Sequence, residues 1–501
     1  MLEPLLDTGE LPNLASLRLE GADGILESTI PFFTGPAWAS FATGSSPVAH
    51  GIYDFMMLRE DGSLSVADQG DLRRKPYHQQ IGEMGGRSVL INLPLDQFGS
   101  EGAVIVNSWL TDDDARRLLP VGRRERYARL LGAYRTFPTD PSNLEELLAI
   151  EQARFDLARE LFLAEEWEHF FVLFSSTDWL GHQGTGLFLR GDESARAAFL
   201  RLYRQLDAHI GWLLEHAPDA HVFVLSDHGQ TEESVVLRVN SVLDELGLLE
   251  RRDRSPHPVD PFFVSRRPTR RVRVPRTFRA LRSVPGLTPV VGRAKQLLRR
   301  QLGVEIGLAP IPFDRRTSKA FMPTDAAFSV HTNGDDVDLD RIREALLAIT
   351  LDDGRQALDG VWTPEELYGR PSDASGPALF LSPTEGVRPS AALKDPVLGR
   401  PKAPGRGCHQ REGVIIAAGP NVSASDLGTV SIMDVSPTIL WTMGCPVPDG
   451  CDGRVLFEAF EPEFAASQPF VVAEGGDLQA DEARRTGSDE VTRRLRALGY
   501  I

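Results

Sequence analysis

The sequence predicts an α/β fold built on a doubly wound, mostly parallel sheet, and two observations carry that reading. Four short runs are apolar and rich in β-branched or aromatic residues: "RSVLINLPL" at Arg87, "HFFVLFSS" at His169, "HVFVLSDHG" at His221 and "EGVIIAAGP" at Glu412. Strands buried on both faces read this way. Between the second and third run, Asp192 to Pro218 carries apolar residues at helical spacing, with Pro218 just past its end. Strand, long helix, strand is the crossover unit of a parallel sheet.

The chain has 501 residues and 42% hydrophobic content, so one large domain with an insertion, or two domains, is expected. A net charge of -17 disfavours a general affinity for nucleic acid. No apolar run reaches the roughly 18 residues that cross a bilayer. The opening "MLEPLLDTGELPNL" has neither a basic leader nor a continuous apolar stretch, and so predicts a cytoplasmic protein. Cys408, Cys445 and Cys451 are too few for a disulfide framework and lack the spacing of a structural zinc site, so free thiols are expected.

From Arg251 to Arg300 the composition changes: fourteen arginines and Lys295 stand against Asp253 and Asp260, a local balance of about +13. The expected organisation is a catalytic core over residues 1–250 and 371–460, an inserted cap-like region over 251–370, and a tail over 461–501 ending in a short helix. The basic stretch reads three ways: a cap drawing in an anionic substrate, a peripheral membrane contact, or a solvated arm offsetting the acidic body.

The chemistry concentrates at strand ends. "STDWLGHQG" places Asp178 and His182 four residues apart, on one face if a helix starts there. "LSDHGQ" puts Asp227 and His228 directly after the next strand, at the edge where open α/β sheets build their sites. "GRGCHQREG" delivers His409 just before the last apolar strand. Each has a plainer reading: a surface pair, an ordinary loop histidine, or a turn with glycine at positive φ and aspartate capping a helix. Their joint placement favours a metal centre. Two carboxylates and three imidazoles suit zinc, with manganese or iron as alternatives. Thr34, in "PFFTGPAWASFATG", is a weak nucleophile until a base or metal activates it, and two such ions would supply that.

These motifs, with "LPNLASLRLEGADGILEST" ahead of them and "SIMDVSPTILWTMGCPVPDGCDGRVL" behind, resemble the type I phosphodiesterase and nucleotide pyrophosphatase family of the alkaline phosphatase superfamily. The resemblance implies a three-layer α/β/α sandwich and a hydrolase of phosphoesters or phosphodiesters. It implies that Thr34 attacks phosphorus to give a phospho-enzyme, that Asp178, His182 and His409 hold one metal, and that Asp227 and His228 hold a second. A small-molecule or lipid-linked phosphoester is the expected substrate.

Two departures accompany the resemblance. The family's first metal ligand, an aspartate ending a strand about twenty residues before "LPNL", has no counterpart here. Asp7 falls in a helical stretch, and Asp23 is expected to cap a turn. A sheet without that strand has a gap, so the expectation is that the protein's true start lies upstream. Secondly, nucleotide-cleaving members carry an asparagine after "HGI" where this chain has Phe55, which argues against a nucleotide; His50 nearby reads as structural. The alternatives are a catalytically impaired metal-binding recognition protein, a sulfatase or a phosphomutase. Thr34 disfavours the last two, whose nucleophiles are a modified cysteine or serine and a serine.

Overall fold

The computed structural model describes residues 2–67, 69–95, 101–108, 118–251, 313–334 and 336–478. The arginine-rich stretch beyond Arg251 and the expected C-terminal helix lie outside these residues. The chain divides into two compact units, one of Met1–Leu249 with Arg315–Ile501 and one of Glu250–Asp314. In the second, the ends are paired: Arg251 bridges Phe313, and the Asp314 amide donates to the Glu250 carbonyl at 2.9 Å.

The first unit is α/β and its two largest core sheets are mixed. The strands are β1 (Ala22–Glu27), β2 (Ser88–Ile91), β3 (Ala103–Val106), β4 (Leu118–Leu119), β5 (His169–Val172), β6 (Val222–Leu225), β7 (Gly229–Glu232), β8 (Gly407–Gln410), β9 (Glu412–Ala418) and β10 (Ser425–Ser431). One sheet runs β10-β1-β9-β6 and the other β4-β3-β2-β5. β2 lies parallel to β3 and β5, and β1 parallel to β10. β9, however, is antiparallel to both β1 and β6, which departs from the mostly parallel sheet expected. An apolar run reports burial on two faces and not direction; the long excursion between β7 and β8 leaves the returning strand free to run either way. A further four-stranded, antiparallel sheet is formed within that excursion by Ala320–Phe321, Ser329–Thr332, Leu358–Trp362 and Leu379–Pro383.

The helices that matter for the site are α1 (Pro12–Glu20), α2 (Thr34–Thr43), α3 (Leu144–Ala164), α4 (Ser176–Leu189) and α5 (Glu193–His216). α5 begins where the sequence predicts, with Asp192 accepting the Ala195 amide at 2.9 Å as its N-cap. α2 has no polar face because all ten of its residues are buried. It packs through Trp38 and Phe41 against Phe171 of β5, and it ends at Gly44, whose φ of 63° gives a left-handed cap.

β5 and β6, the two ends of the predicted crossover unit, do not pair with each other. Each ends its own sheet, and both line one cavity of about 1390 Å³ together with Trp38, Trp167, Ile210 and Leu214. Every residue of both strands is therefore half-buried, where a run such as "HFFVLF" predicts full burial. Leu2 also lines this cavity. Asp23 lies within β1 and not in a turn, paired with Arg18 at 2.8 Å. The three cysteines are free thiols.

Candidate active site

Thr34 is the first residue of α2 and only 6% exposed. Its approach is fixed by Tyr368, whose hydroxyl accepts from the Ile30 amide and donates to the Ile30 carbonyl, both at 2.8 Å. Among the described residues no side chain caps the head of α2, so the Thr34 and Gly35 amides and the positive end of its dipole remain available beside the hydroxyl, Pro36 having no amide hydrogen. The Thr34 hydroxyl lies close enough to the Asp227 carboxyl to favour its charged form.

α4 starts three residues after β5 and carries Asp178 and His182 on one face, one turn apart. His182 Nε2 stands 3.3 Å from Asp178 Oδ1, and His409 Nε2, arriving from β8, stands 3.5 Å from the same oxygen. The two Nε2 atoms are 3.0 Å from each other. The His228 ring stacks on that of His409 with centroids 3.6 Å apart, and Asp227 Oδ2 lies 3.4 Å from His228 Nε2. The structure thus brings all five predicted ligand side chains and Thr34 into one neighbourhood.

The protonation pattern follows from the partners. His182 Nδ1 faces the Gly407 carbonyl at 3.3 Å, His409 Nδ1 the Phe32 carbonyl at 3.3 Å, and His228 Nδ1 the Gly229 carbonyl at 3.0 Å. A carbonyl only accepts, so each Nδ1 facing one is the donor and each ring turns its Nε2 toward the site. Burial holds His409 neutral, its pKa lowered to about 3, with His228 adding to the effect. Three imidazole Nε2 atoms and two carboxylates converge, and His228 Nε2 is buried without a hydrogen-bond partner among the described residues. Grouped nitrogen and oxygen donors suit a cation, and Asp178, His228 and His409 present ligand atoms all within 4.8 Å of one another. The residues fit a divalent metal.

The two carboxylates differ. At Asp178, burial alone would raise the pKa, but His182 and His409 outweigh it and hold the carboxyl well below its usual range. At Asp227, burial pushes the carboxyl up, opposed by His228 and the Thr34 hydroxyl and reinforced by Asp178.

The turn-chemistry reading of "DHG" does not describe this site: a strand and not a helix follows, with Gly229 its first residue. Glycine is required there because a Cβ would fall 2.0 Å from the Glu412 carbonyl oxygen. His50 is fully buried, with Nε2 2.8 Å from Ser40 Oγ and Nδ1 accepting from the Ile52 amide, a structural placement. Phe55 is buried edge-on against Phe33 with centroids 5.5 Å apart. The sequence reading overlooked Gln230, whose amide touches Asp178; alternation along β7 would have indicated a face, but not which neighbour it meets.

The profile of the type I phosphodiesterase / nucleotide pyrophosphatase family matches residues 2–281, more than half of the chain. The chain belongs to this family. Thr34, Asp178, His182, Asp227 and His228 all lie inside the matched span, and family membership points to a phosphoester or phosphodiester hydrolase of the alkaline phosphatase superfamily. Family members are typically dependent on divalent metals. Among solved structures, human ectonucleotide pyrophosphatase / phosphodiesterase 5 is similar at 13% identity, covering 89% of this chain and 92% of that one with a TM-score of 0.50. Phosphonoacetate hydrolase from Sinorhizobium meliloti 1021, in complex with phosphonoformate, is similar at 18% identity, covering 83% and 86% with a TM-score of 0.49. The former likeness is one of fold. No curated protein matches the chain by sequence.

Proposed function

We propose that this member of the type I phosphodiesterase family hydrolyses phosphoesters or phosphodiesters through a threonine nucleophile and a two-metal centre. The observation that carries the reading is the placement of Thr34 at the uncapped head of a buried helix, its hydroxyl acting on the Asp227 carboxyl, in the neighbourhood where Asp178, His182, His228 and His409 converge. Zinc, or manganese or iron in its place, would be held by Asp178, His182 and His409 on one side and by Asp227 and His228 on the other. A bound metal pair supplies phosphoryl-charge neutralisation and a lowered hydroxyl pKa.

The chain's own residues perform the rest. Asp227 orients the Thr34 hydroxyl and takes up its hydrogen as the Thr34 oxygen bonds to phosphorus. The ester oxygen then leaves with its electron pair, and water cleaves the phosphothreonine in a second displacement. Amides of the first turn of α2 hold the phosphoryl oxygens, a role that Phe55 has no donor to share. This supports a substrate other than a nucleotide: a small or lipid-linked phosphoester.

The test is a rate measurement with added zinc or manganese on aryl phosphomonoesters, phosphodiesters and sulfates, for this chain and for a form extended upstream. Phosphoester turnover lost in Thr34→Ala, with metal content unchanged, is the expected result. Preserved turnover in that variant would overturn the nucleophile; preferred sulfate turnover would overturn the substrate class. Metal binding without turnover in the extended form would favour a recognition protein.

A further inference from the structure

Gln230 is the second residue of β7, and in the antiparallel β7–β8 ladder it stands directly opposite His409. Directly opposed residues project to the same side of a ladder, so His409 and Gln230 approach α4 together. Gln230 Nε2 donates to Asp178 Oδ1 at 2.8 Å and to the Asp178 carbonyl at 3.1 Å. Its Oε1 accepts from the Thr185 hydroxyl at 3.2 Å. The amide orientation follows from its surroundings, since both Asp178 atoms accept.

The face of α4 is shaped for this amide. Asp178, Gly181, His182 and Thr185 follow one another at helical spacing, and a Cβ on Gly181 would fall 1.4 Å from Gln230 Oε1. A glycine inside a helix is disfavoured relative to alanine. Here it opens the passage through which the Gln230 side chain crosses the helix to reach the carboxylate.

We propose that Gln230 is a positioning residue for the metal centre: threaded past Gly181 and anchored by Thr185, its amide fixes the rotation of the Asp178 carboxylate. A carboxylate on a free rotor must be immobilised when metal binds, whereas one already held presents its oxygens in place. The inference rests on the proposed role of Asp178 as a ligand.

Titrations of the metal-free chain with Co²⁺ and Zn²⁺, followed by calorimetry and by the visible absorption of bound cobalt, test it. Gln230→Met keeps the length and loses the donor. It should weaken metal binding about 10- to 100-fold and alter the cobalt spectrum while leaving the thermal midpoint of the metal-free chain close to the parent's. Gly181→Ala should reproduce that loss by a different route, and adding it to Gln230→Met should cost little more. If Gln230→Met folds poorly, Gly181→Ala and the shorter Gln230→Asn carry the same comparison. Parent-like affinity and spectrum in the folded variants would overturn the positioning role and leave the metal centre standing. A parent chain that takes up neither metal would overturn both.

Discussion

The carboxylate of Glu151 on α3 accepts the amide hydrogen of Ser176, the first residue of α4, at 2.8 Å and with no solvent exposure. The same carboxylate pairs with Arg154, equally buried. One residue therefore closes the head of the helix that carries Asp178 and His182 and balances a buried charge. Glu151→Ala leaves Arg154 without its counter-charge and the Ser176 amide without its acceptor. A loss of about 3–5 kcal/mol is expected, read from urea unfolding. Glu151→Gln keeps an acceptor for the amide and should lose less.

Asp207, buried on α5, accepts the Leu14 amide at 2.8 Å and the Asn13 amide at 3.2 Å. It caps α1 from another helix, since Leu11 at the cap position offers no side-chain acceptor. Asp207→Ala should cost about 1–2 kcal/mol. Faster hydrogen exchange at Asn13 and Leu14 should accompany it; unchanged exchange there would disprove the cap.

Asp54 is buried, and burial pushes its carboxyl up to about 7, with hydrogen bonds from Thr324 and the Phe55 amide opposing and Asp325 adding to the rise. The folded chain therefore holds a proton that the unfolded chain releases near pH 4, and stability falls as pH rises through the window from 4 to 7. Asp54→Asn removes this dependence. Relative to the parent, its stability should improve by about 2–3 kcal/mol between pH 5 and pH 7.5, measured by unfolding at both. The buried histidines act in the opposite direction. His50 and His78 are lowered to about 3, and His169 and His331 to about 4, chiefly by burial, so they destabilise the fold as pH drops below 6.5. They are common to both chains and cancel in the comparison.

Zinc added to the metal-free chain should raise its thermal midpoint, because only the folded chain brings the ligand side chains together. At a hundred times the dissociation constant the gain is about 2.7 kcal/mol. A chelator should reverse it. His409→Ala should abolish most of the shift, and an equal shift in that variant would mean the ion binds elsewhere.

Much of this fold was legible because it is encoded locally. "HFFV", "HVFVL" and "EGVIIAA" are strands where their composition places them, and α5 starts at Asp192 and stops before Pro218. Asp178 and His182 share a face because helical spacing alone decides it. Longer-range relations were not legible. The antiparallel direction of β9 depends on a connection well over a hundred residues long. The reason for Gly229 lies in the Glu412 carbonyl, far away in sequence. Gln230 acquires its role only through the register that sets it against His409, and alternation along a strand does not fix register.

The cleft between β5 and β6 also has a mechanical meaning. Asp178 follows the strand on one bank and Asp227 with His228 the strand on the other, while no ladder of hydrogen bonds spans the two. The site is a clasp across a seam: any breathing of the banks is transmitted directly to the spacing of its teeth. In-line displacement tolerates about 1 Å of misplacement poorly, so under the proposed function what stiffens the seam would bear on the rate together with what touches phosphorus.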